Sequence, residues 1–257
     1  MPVKIATWNV NSLRVRLPQV LAWLESEQPD ILALQETKSP DPEFPAAEFL
    51  QRGYQLAFSG QKTYNGVAII SRTALTDLQT GMPGFSDPQR RVLYAETRGL
   101  SLLNLYVPNG AEVGSDKYTY KLEWLKHLRE FTQTLLTGHS RLVLLGDFNI
   151  APADADVHDP AAWAGQVLCS APERAAFSSL LDLNLVDCFR KFPQPPGSYS
   201  WWDYRAAGFR RNQGLRIDHI LASSEYAAQC RSCRIDRTPR AWERPSDHTP
   251  VLAEFQD

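Results

Sequence analysis

The chain has 257 residues, 43% of them hydrophobic and 22% charged, with a formal net charge of −2. Those values exclude a disordered polyelectrolyte and a protein that coats nucleic acid by bulk charge alone. No apolar run approaches the roughly 20 residues of a membrane span, and four cysteines are too few for a disulfide scaffold of this size. The expectation is one domain spanning residues 1–257, monomeric and cytoplasmic.

Val3 to Trp8 reads as a strand and runs into a polar loop at Asn9. Leu13, Leu17, Val20, Leu21 and Leu24 then recur at helical spacing, with Pro18 early enough in that helix to be tolerated. Ile31 to Leu34 is a second buried strand and ends in Gln35-Glu36-Thr37-Lys38. Tyr54 to Ser59, Val67 to Ser71, Arg91 to Thr97 and Leu100 to Val107 are short strands of more antiparallel character. Asn65-Gly66 is a turn signal between two of them. The last places Tyr106 and Asn109 at a strand end. Tyr118, Leu122, Leu125, Leu128, Phe131 and Leu135 mark a long amphipathic helix.

That helix leads into Leu142 to Leu145, a continuous apolar run that reads as a strand buried on both faces. It ends in Gly146-Asp147-Phe148-Asn149. If strand geometry continues, Asp147 and Asn149 point to one side, and in α/β folds active sites lie at such carboxyl ends. Gly, Asp and Asn are as common in an ordinary turn, so the tetrapeptide alone leaves both readings open.

Residues 150–170 read as irregular, and Pro172 to Leu183 as a helix. Tyr199, Trp201, Trp202 and Tyr204 put four aromatics into six residues, either as a core strand or as a stacking surface for nucleotides. Arg216 to Ser223 is a strand carrying Asp218. Asp247 and His248 occupy a proline-bounded loop before a closing strand, Val251 to Phe255. Cys230 and Cys233 form a CxxC with no second ligand pair, so structural or free thiols are expected rather than zinc. From Arg190 onward basic residues outnumber acidic ones 11 to 8. A solvated surface explains that as well as a polyanion groove does.

Asn9, Glu36, Tyr106, Asn109, Asp147, Asn149, Asp218, Asp247 and His248 all fall at strand termini. No Ser, Cys or Lys stands out as a nucleophile. Carboxylates and amides are oxygen ligands suited to Mg²⁺ or Mn²⁺ rather than zinc. The chemistry they imply is metal-assisted hydrolysis, most naturally of a phosphate ester.

ATWNVNSLR, LQETK, YVPNG, GDFN, WWDYR, GLRIDHIL and PSDHTP occur in this order over nearly the whole chain. Together they resemble the exonuclease III/AP endonuclease family, in its bacterial branch. The resemblance implies a four-layer α/β sandwich, with two mixed β-sheets face to face and helices outside. It implies a DNA repair nuclease that uses Mg²⁺, with Mn²⁺ able to substitute. Such an enzyme acts on double-stranded DNA at abasic sites and at blocked or normal 3′ ends, leaving a 3′-hydroxyl.

Residue by residue, the resemblance makes Glu36 the principal metal ligand, with Asn9, Asp147, Asn149, Asp247 and His248 around the metal. Asp147 would orient or deprotonate the attacking water, with Asn149 helping to hold it. His248 would contact the scissile phosphate, with Asp218 as its carboxylate partner, and Tyr106 and Asn109 would face the phosphate. Trp201, Leu215 and Ile217 fall at the wall of a pocket for a base-free sugar. Arg205 would brace the duplex, and Arg14, Lys38 and Arg90 or Arg91 would touch its backbone. Leu168 lies in a pocket-lining stretch that varies in the family. Its bulk is expected to narrow access for an internal abasic sugar, which makes 3′-end processing at least as strong as abasic incision.

Three other readings remain open. One is a 3′-end exonuclease with weak abasic incision. Another is a phosphatase of inositol phosphates, or a sphingomyelinase, of the same superfamily, against which WWDYR and GLRIDHIL speak. The third is a nucleic-acid-binding relative without catalysis, against which the intact carboxylates and imidazole speak.

Overall fold

The computed structural model describes residues 2–256. In chain order its elements are β1 (Val3–Asn9), α1 (Leu13–Glu27), β2 (Ile31–Gln35), α2 (Ala46–Leu50), β3 (Gln55–Ser59), β4 (Val67–Ser71), β5 (Thr76–Thr80), β6 (Val92–Thr97), β7 (Leu100–Tyr106) and α3 (Asp116–Gly138). There follow β8 (Leu142–Asp147), α4 (Pro160–Trp163), α5 (Ala171–Leu181), β9 (Leu185–Asp187), β10 (Trp201–Trp202), β11 (Gly214–Leu215), β12 (Asp218–Ser223), α6 (Ser224–Ala227), β13 (Cys230–Ile235) and β14 (Val251–Phe255).

Two six-stranded sheets carry the fold, in the orders β13-β14-β1-β2-β4-β3 and β5-β6-β7-β8-β12-β9. Each is mixed. β1 and β2 are parallel in the first, β7 and β8 in the second, and the other neighbours are antiparallel. Strand alternation sorts the side chains into layers. On β8, Val143 and Leu145 join the core between the sheets, with Ile5, Ala33, Leu102 and Ile220. Leu142 and Leu144 face the other way, onto Trp124, Leu128 and Phe177 of α3 and α5. On β1, Ile5 faces the inner core, while Ala6 and Trp8 pack with Val20, Trp23 and Leu24 of α1. The result is the expected four-layer sandwich. A strand apolar on both faces is what a layer covered on both sides requires.

A polar link crosses the inner core. Gln35 Nε2 on β2 donates to Thr7 Oγ1 at 2.9 Å and to Asn104 Oδ1 on β7 at 2.8 Å. Asn104 Nδ2 donates in turn to the carbonyls of Leu34 and Ala68. All of these side chains are fully buried. A hydrogen-bonded buried pair penalises sliding, because any shift strands polar groups away from water. Gln35 is register-paired with Asn9, so the link fixes the two sheets close to the strand ends that matter below.

Four strands lie outside those the sequence predicts, among them β11, only two residues long. β5 is exposed at nearly every position, so it carries no apolar alternation. β9 has three residues. β13 buries Cys230 and Cys233 but places Arg231 and Arg234 between and beside them, which breaks up the hydrophobic signal. Segment 150–170 holds only a single turn at Asp154–Asp156 and the short α4. The four cysteines are free and buried.

Gly146 has φ +145, and a Cβ there would lie 1.9 Å from the Leu105 carbonyl oxygen. The rigid neighbouring strand cannot give way. Gly146→Ala is therefore expected to lose at least ~3 kcal/mol, lowering the melting temperature by roughly 6 °C or more. Calorimetry showing an unchanged transition would contradict this account of the β7–β8 pairing.

Candidate active site

The register of the strands brings the polar termini to one end. Tyr106 is paired with Asp147, and Asp147 with Asp218, across β7, β8 and β12. Asn9 and Gln35 end β1 and β2 side by side in the facing sheet. The chain then turns sharply. Glu36, Asn149, Asn11 and Lys38 all have φ between 43 and 50. Left-handed backbone at a non-glycine residue is strained by about 1–3 kcal/mol and collects at functional sites. Local bonds hold these turns in place. The Glu36 carbonyl accepts the Ser12 N–H at 2.7 Å, and Asp147 Oδ1 accepts the Asn149 N–H at 2.9 Å.

Asn9 Nδ2 donates to Glu36 Oε1 and to Asp147 Oδ2, each at 2.9 Å. Asn149 Nδ2 donates to the Val107 carbonyl at 3.0 Å and lies 3.3 Å from Asp147 Oδ2. Asn109 Nδ2 donates to Asn149 Oδ1 at 3.2 Å. His248 Nδ1 lies 2.9 and 3.1 Å from the two Asp218 oxygens, and its Nε2 lies 3.7 Å from Asp147 Oδ2. Glu36, Asp147 and His248 each offer one ligand atom within 4.8 Å of the others.

Burial shapes the electrostatics. It pushes the Asp147 carboxyl up to about 7, against the pull of His248. It also pulls the His248 imidazole down, but the Asp218 charge, and then that of Asp147, outweigh it and hold the imidazole up at about 10. A ring that keeps both protons donates hydrogen bonds and offers no lone pair to a metal. The Tyr106 phenol is pushed well up, first by burial and then by the Glu36 and Asp147 charges, and so stays a neutral hydroxyl. The donors left for a cation are Glu36 and Asp147 with the neighbouring amides. That hard oxygen set fits Mg²⁺ or Mn²⁺.

Asp247 is not part of the Glu36–Asp147–His248 set, although its charge also helps hold the His248 imidazole up. Its Oδ1 accepts from Asn11 Nδ2 and its Oδ2 from Trp201 Nε1, both at 3.0 Å. Trp201, Leu168 and Leu215 do come together, with Ala151, Val157 and Ile217, in one apolar cluster beside the polar site. Leu168 adopts φ +74. Arg205 lies elsewhere, on an exposed turn, where its guanidinium grips Asp203 at 2.7–3.1 Å.

Arg14 is exposed. Lys38 bonds Asn11 Oδ1 at 2.6 Å and pairs with Glu36 at 2.9 Å. Arg91 stacks over Tyr106 at 4.5 Å and donates to its carbonyl. Arg91 and Asn109 also line a groove of about 460 Å³ with Gln61, Tyr64, Asn65 and Lys117.

Two supporting residues escaped the sequence reading. Ser200 Oγ accepts the backbone N–H groups of Ile217 and Asp218 at 3.1 Å. Ser246 Oγ donates to the Asn9 carbonyl at 2.8 Å and accepts the His248 N–H at 3.2 Å. Serines in loops give no pattern that singles out such roles.

A family model described as endonuclease/exonuclease/phosphatase matches residues 6–248. Exodeoxyribonuclease III of Haemophilus influenzae is 35% identical over 267 residues, covering 99% of this chain and 100% of that protein. A solved structure of a Neisseria 3′ phosphatase, NExo, bound to a product DNA hairpin overlays with a TM-score of 0.98 and 51% identity, covering 99% of this chain and 100% of that one. An AP endonuclease from Archaeoglobus fulgidus overlays with a TM-score of 0.94 and 40% identity, with the same coverage.

The His248 charge has a consequence for stability. Because its value is raised from 6.5 to about 10, the stability it contributes is fully present below pH 6.5 and is lost as pH rises through about 10. Asp218→Asn removes the largest raising charge. NMR titration of the metal-free variant is expected to place His248 lower by roughly 1 to 3 pH units. An unmoved titration would show that Asp218 does not hold the imidazolium.

Proposed function

The chain belongs to the endonuclease/exonuclease/phosphatase family, and from that premise we propose that it is a Mg²⁺-dependent DNA repair nuclease. It hydrolyses phosphoesters of double-stranded DNA at blocked or normal 3′ ends and at abasic sites, leaving a 3′-hydroxyl. The observation that carries the reading is that Trp201, which packs on the Leu168–Leu215 cluster, pairs through its backbone with His248 of the Glu36–Asp147–His248 cluster. The polar cluster suits a phosphate and the apolar one a sugar without a base.

Glu36 and Asp147 would hold a divalent ion, which would supply positive charge to the phosphoryl oxygens. The remaining work belongs to the chain. Asp147 takes the proton of the attacking water as that water bonds to phosphorus; the bond from phosphorus to the 3′ oxygen breaks, and the 3′ oxygen leaves as a hydroxyl with a proton from solvent. Asn9 and Asn149 aim its carboxylate. The His248 imidazolium donates to the phosphoryl oxygen on which negative charge grows, and Asp218 keeps it charged. Tyr106 and Asn109 face the same phosphate as neutral donors. The groove at Arg91, Lys117 and Tyr64 offers cations and a stacking face to the strand beyond.

Leu168 is buried in the cluster against which Trp201 packs, and its bulk there speaks for a chain end over an internal sugar. The likeness to the Neisseria 3′ phosphatase favours the same choice, while the likeness to the archaeal AP endonuclease keeps abasic incision in view. Three labelled duplexes test the proposal: an internal abasic analogue, a 3′-phosphate at a nick, and a recessed normal 3′ end, each with Mg²⁺ and with EDTA. Mg²⁺-dependent cutting is expected, stronger on the two 3′ ends; no cutting of any duplex would end the reading.

Two variants sharpen it. Asp147→Asn is expected to fold normally and lose roughly 10²–10⁴-fold in rate; near-wild-type turnover would show that the base is misassigned. Leu168→Gly suits a backbone at φ +74 and opens the wall. Abasic incision is expected to gain about tenfold relative to 3′-phosphate removal, the scale on which pocket shape discriminates. No relative gain would remove Leu168 as the gate.

A further inference from the structure

Lys121 and Glu173 are charged, 0% exposed and absent from the chemistry above. Lys121 lies on α3 and Glu173 in the first turn of α5, with Nζ and Oε1 2.5 Å apart. Helix capping explains part of this. Glu173 and Ser170 form a capping box, in which Glu173 Oε2 accepts the Ser170 N–H at 3.1 Å and its hydroxyl at 2.5 Å.

Capping does not explain the other bonds. Glu173 Oε1 also accepts the backbone N–H of Leu168 at 2.9 Å, upstream of the helix. Lys121 Nζ donates to the carbonyls of Asn149 at 2.7 Å and Asn109 at 3.1 Å. All three ammonium protons are then committed. One ion pair therefore grips three segments that reach the site: those after β7, after β8 and before α5. Leu168 is also held at its other end, where its carbonyl accepts the Ala151 N–H at 2.8 Å. A left-handed backbone at a leucine persists only where its surroundings hold it; these two bonds, with the Cys169 N–H to the Gln166 carbonyl at 3.1 Å, pin the turn on both sides.

We propose that Lys121 and Glu173 are positioning residues: their pair fixes Leu168 against the Trp201–Leu215 wall and so sets which phosphoester the pocket accepts. The selectivity part rests on the reading of Leu168 as the pocket gate. The chemistry of the pair fits the task. A carboxylate only accepts, and here it faces the Lys121 ammonium, two backbone N–H groups and a hydroxyl. A neutral amide in its place would turn a donor toward donors. A buried ion pair that serves packing alone can be exchanged for apolar side chains with little effect on a fold. A pair whose bonds place a backbone cannot.

That difference gives the test. The variant Lys121→Leu/Glu173→Leu removes both charges and keeps apolar volume. Two quantities are read: kcat/KM on the internal abasic duplex relative to the 3′-phosphate nick, and hydrogen exchange at the Leu168 amide. In a double variant that still unfolds cooperatively, the ratio is expected to move about tenfold toward abasic incision, and the Leu168 amide to lose its protection. An unchanged ratio overturns the proposal, and so does unchanged Leu168 protection. If the double variant does not fold, Glu173→Gln is read by the same two measurements. If the wild-type protein cuts neither duplex, the nuclease reading fails by itself, and Leu168 exchange still decides whether the pair positions that backbone.

Discussion

One amide group holds the two halves of the site together. Asn9 Nδ2 donates at once to Glu36 from its own sheet and to Asp147 from the facing sheet. The Glu36–Asp147 half of the site depends on that meeting. Glu36 comes from the turn after β2 and Asp147 from the end of β8, so neither strand alone could bring the two carboxylates together. The Gln35–Asn104 link, next to Asn9 in register, stops the sheets from sliding and so preserves the distance. The inner core between them is apolar and non-directional. Polar contacts supply the register that apolar packing leaves free.

The same burial that positions the groups also tunes them. Asp147 and Asp218 lie at 1% and 0% exposure and His248 at 4%. Taken from water, a carboxylate rises toward neutrality and an imidazole falls, unless an opposite charge intervenes. Here Asp218 intervenes for His248, and Asp147 is left to rise. Two carboxylates on adjacent strands thus sit in different electrostatic settings, one paired with the imidazole and one raised by burial. A site built this way is unfavourable for folding. Like charges crowd together and several turns are left-handed, and the apolar layers on both faces of β8 offset this. Fully burying each of its four aliphatic side chains contributes about 1.5–3 kcal/mol.

Much of this was legible in the residues. The apolar runs ending in polar groups located β1, β2, β7, β8 and β12, and those ends do converge. What lay beyond reach has physical causes. Alternation placed Asp147 and Asn149 on one side, but the strand stops at Asp147 and Asn149 turns to φ +49. They meet through a turn bond from the Asn149 N–H to Asp147, which periodicity does not encode. Asp247 falls in the expected loop, where Asn11 and Trp201 each donate to one of its oxygens, contacts that no sequence spacing encodes. Lys121 carried a signal that went unread. It stands three residues after Tyr118 and four before Leu125, on the buried face of α3, where a lysine needs a partner. The partner, Glu173, is 52 residues away, and only the folded chain reveals it.

The central claim is that carboxylates from both sheets converge to hold a divalent cation beside a charged imidazole. Crystals soaked in Mn²⁺ and measured at an anomalous wavelength test it most directly. The account predicts one peak beside the Glu36 and Asp147 carboxylates, absent in Glu36→Ala, with His248 Nε2 outside the coordination shell. A peak ligated by His248, or one unchanged in Glu36→Ala, would contradict it.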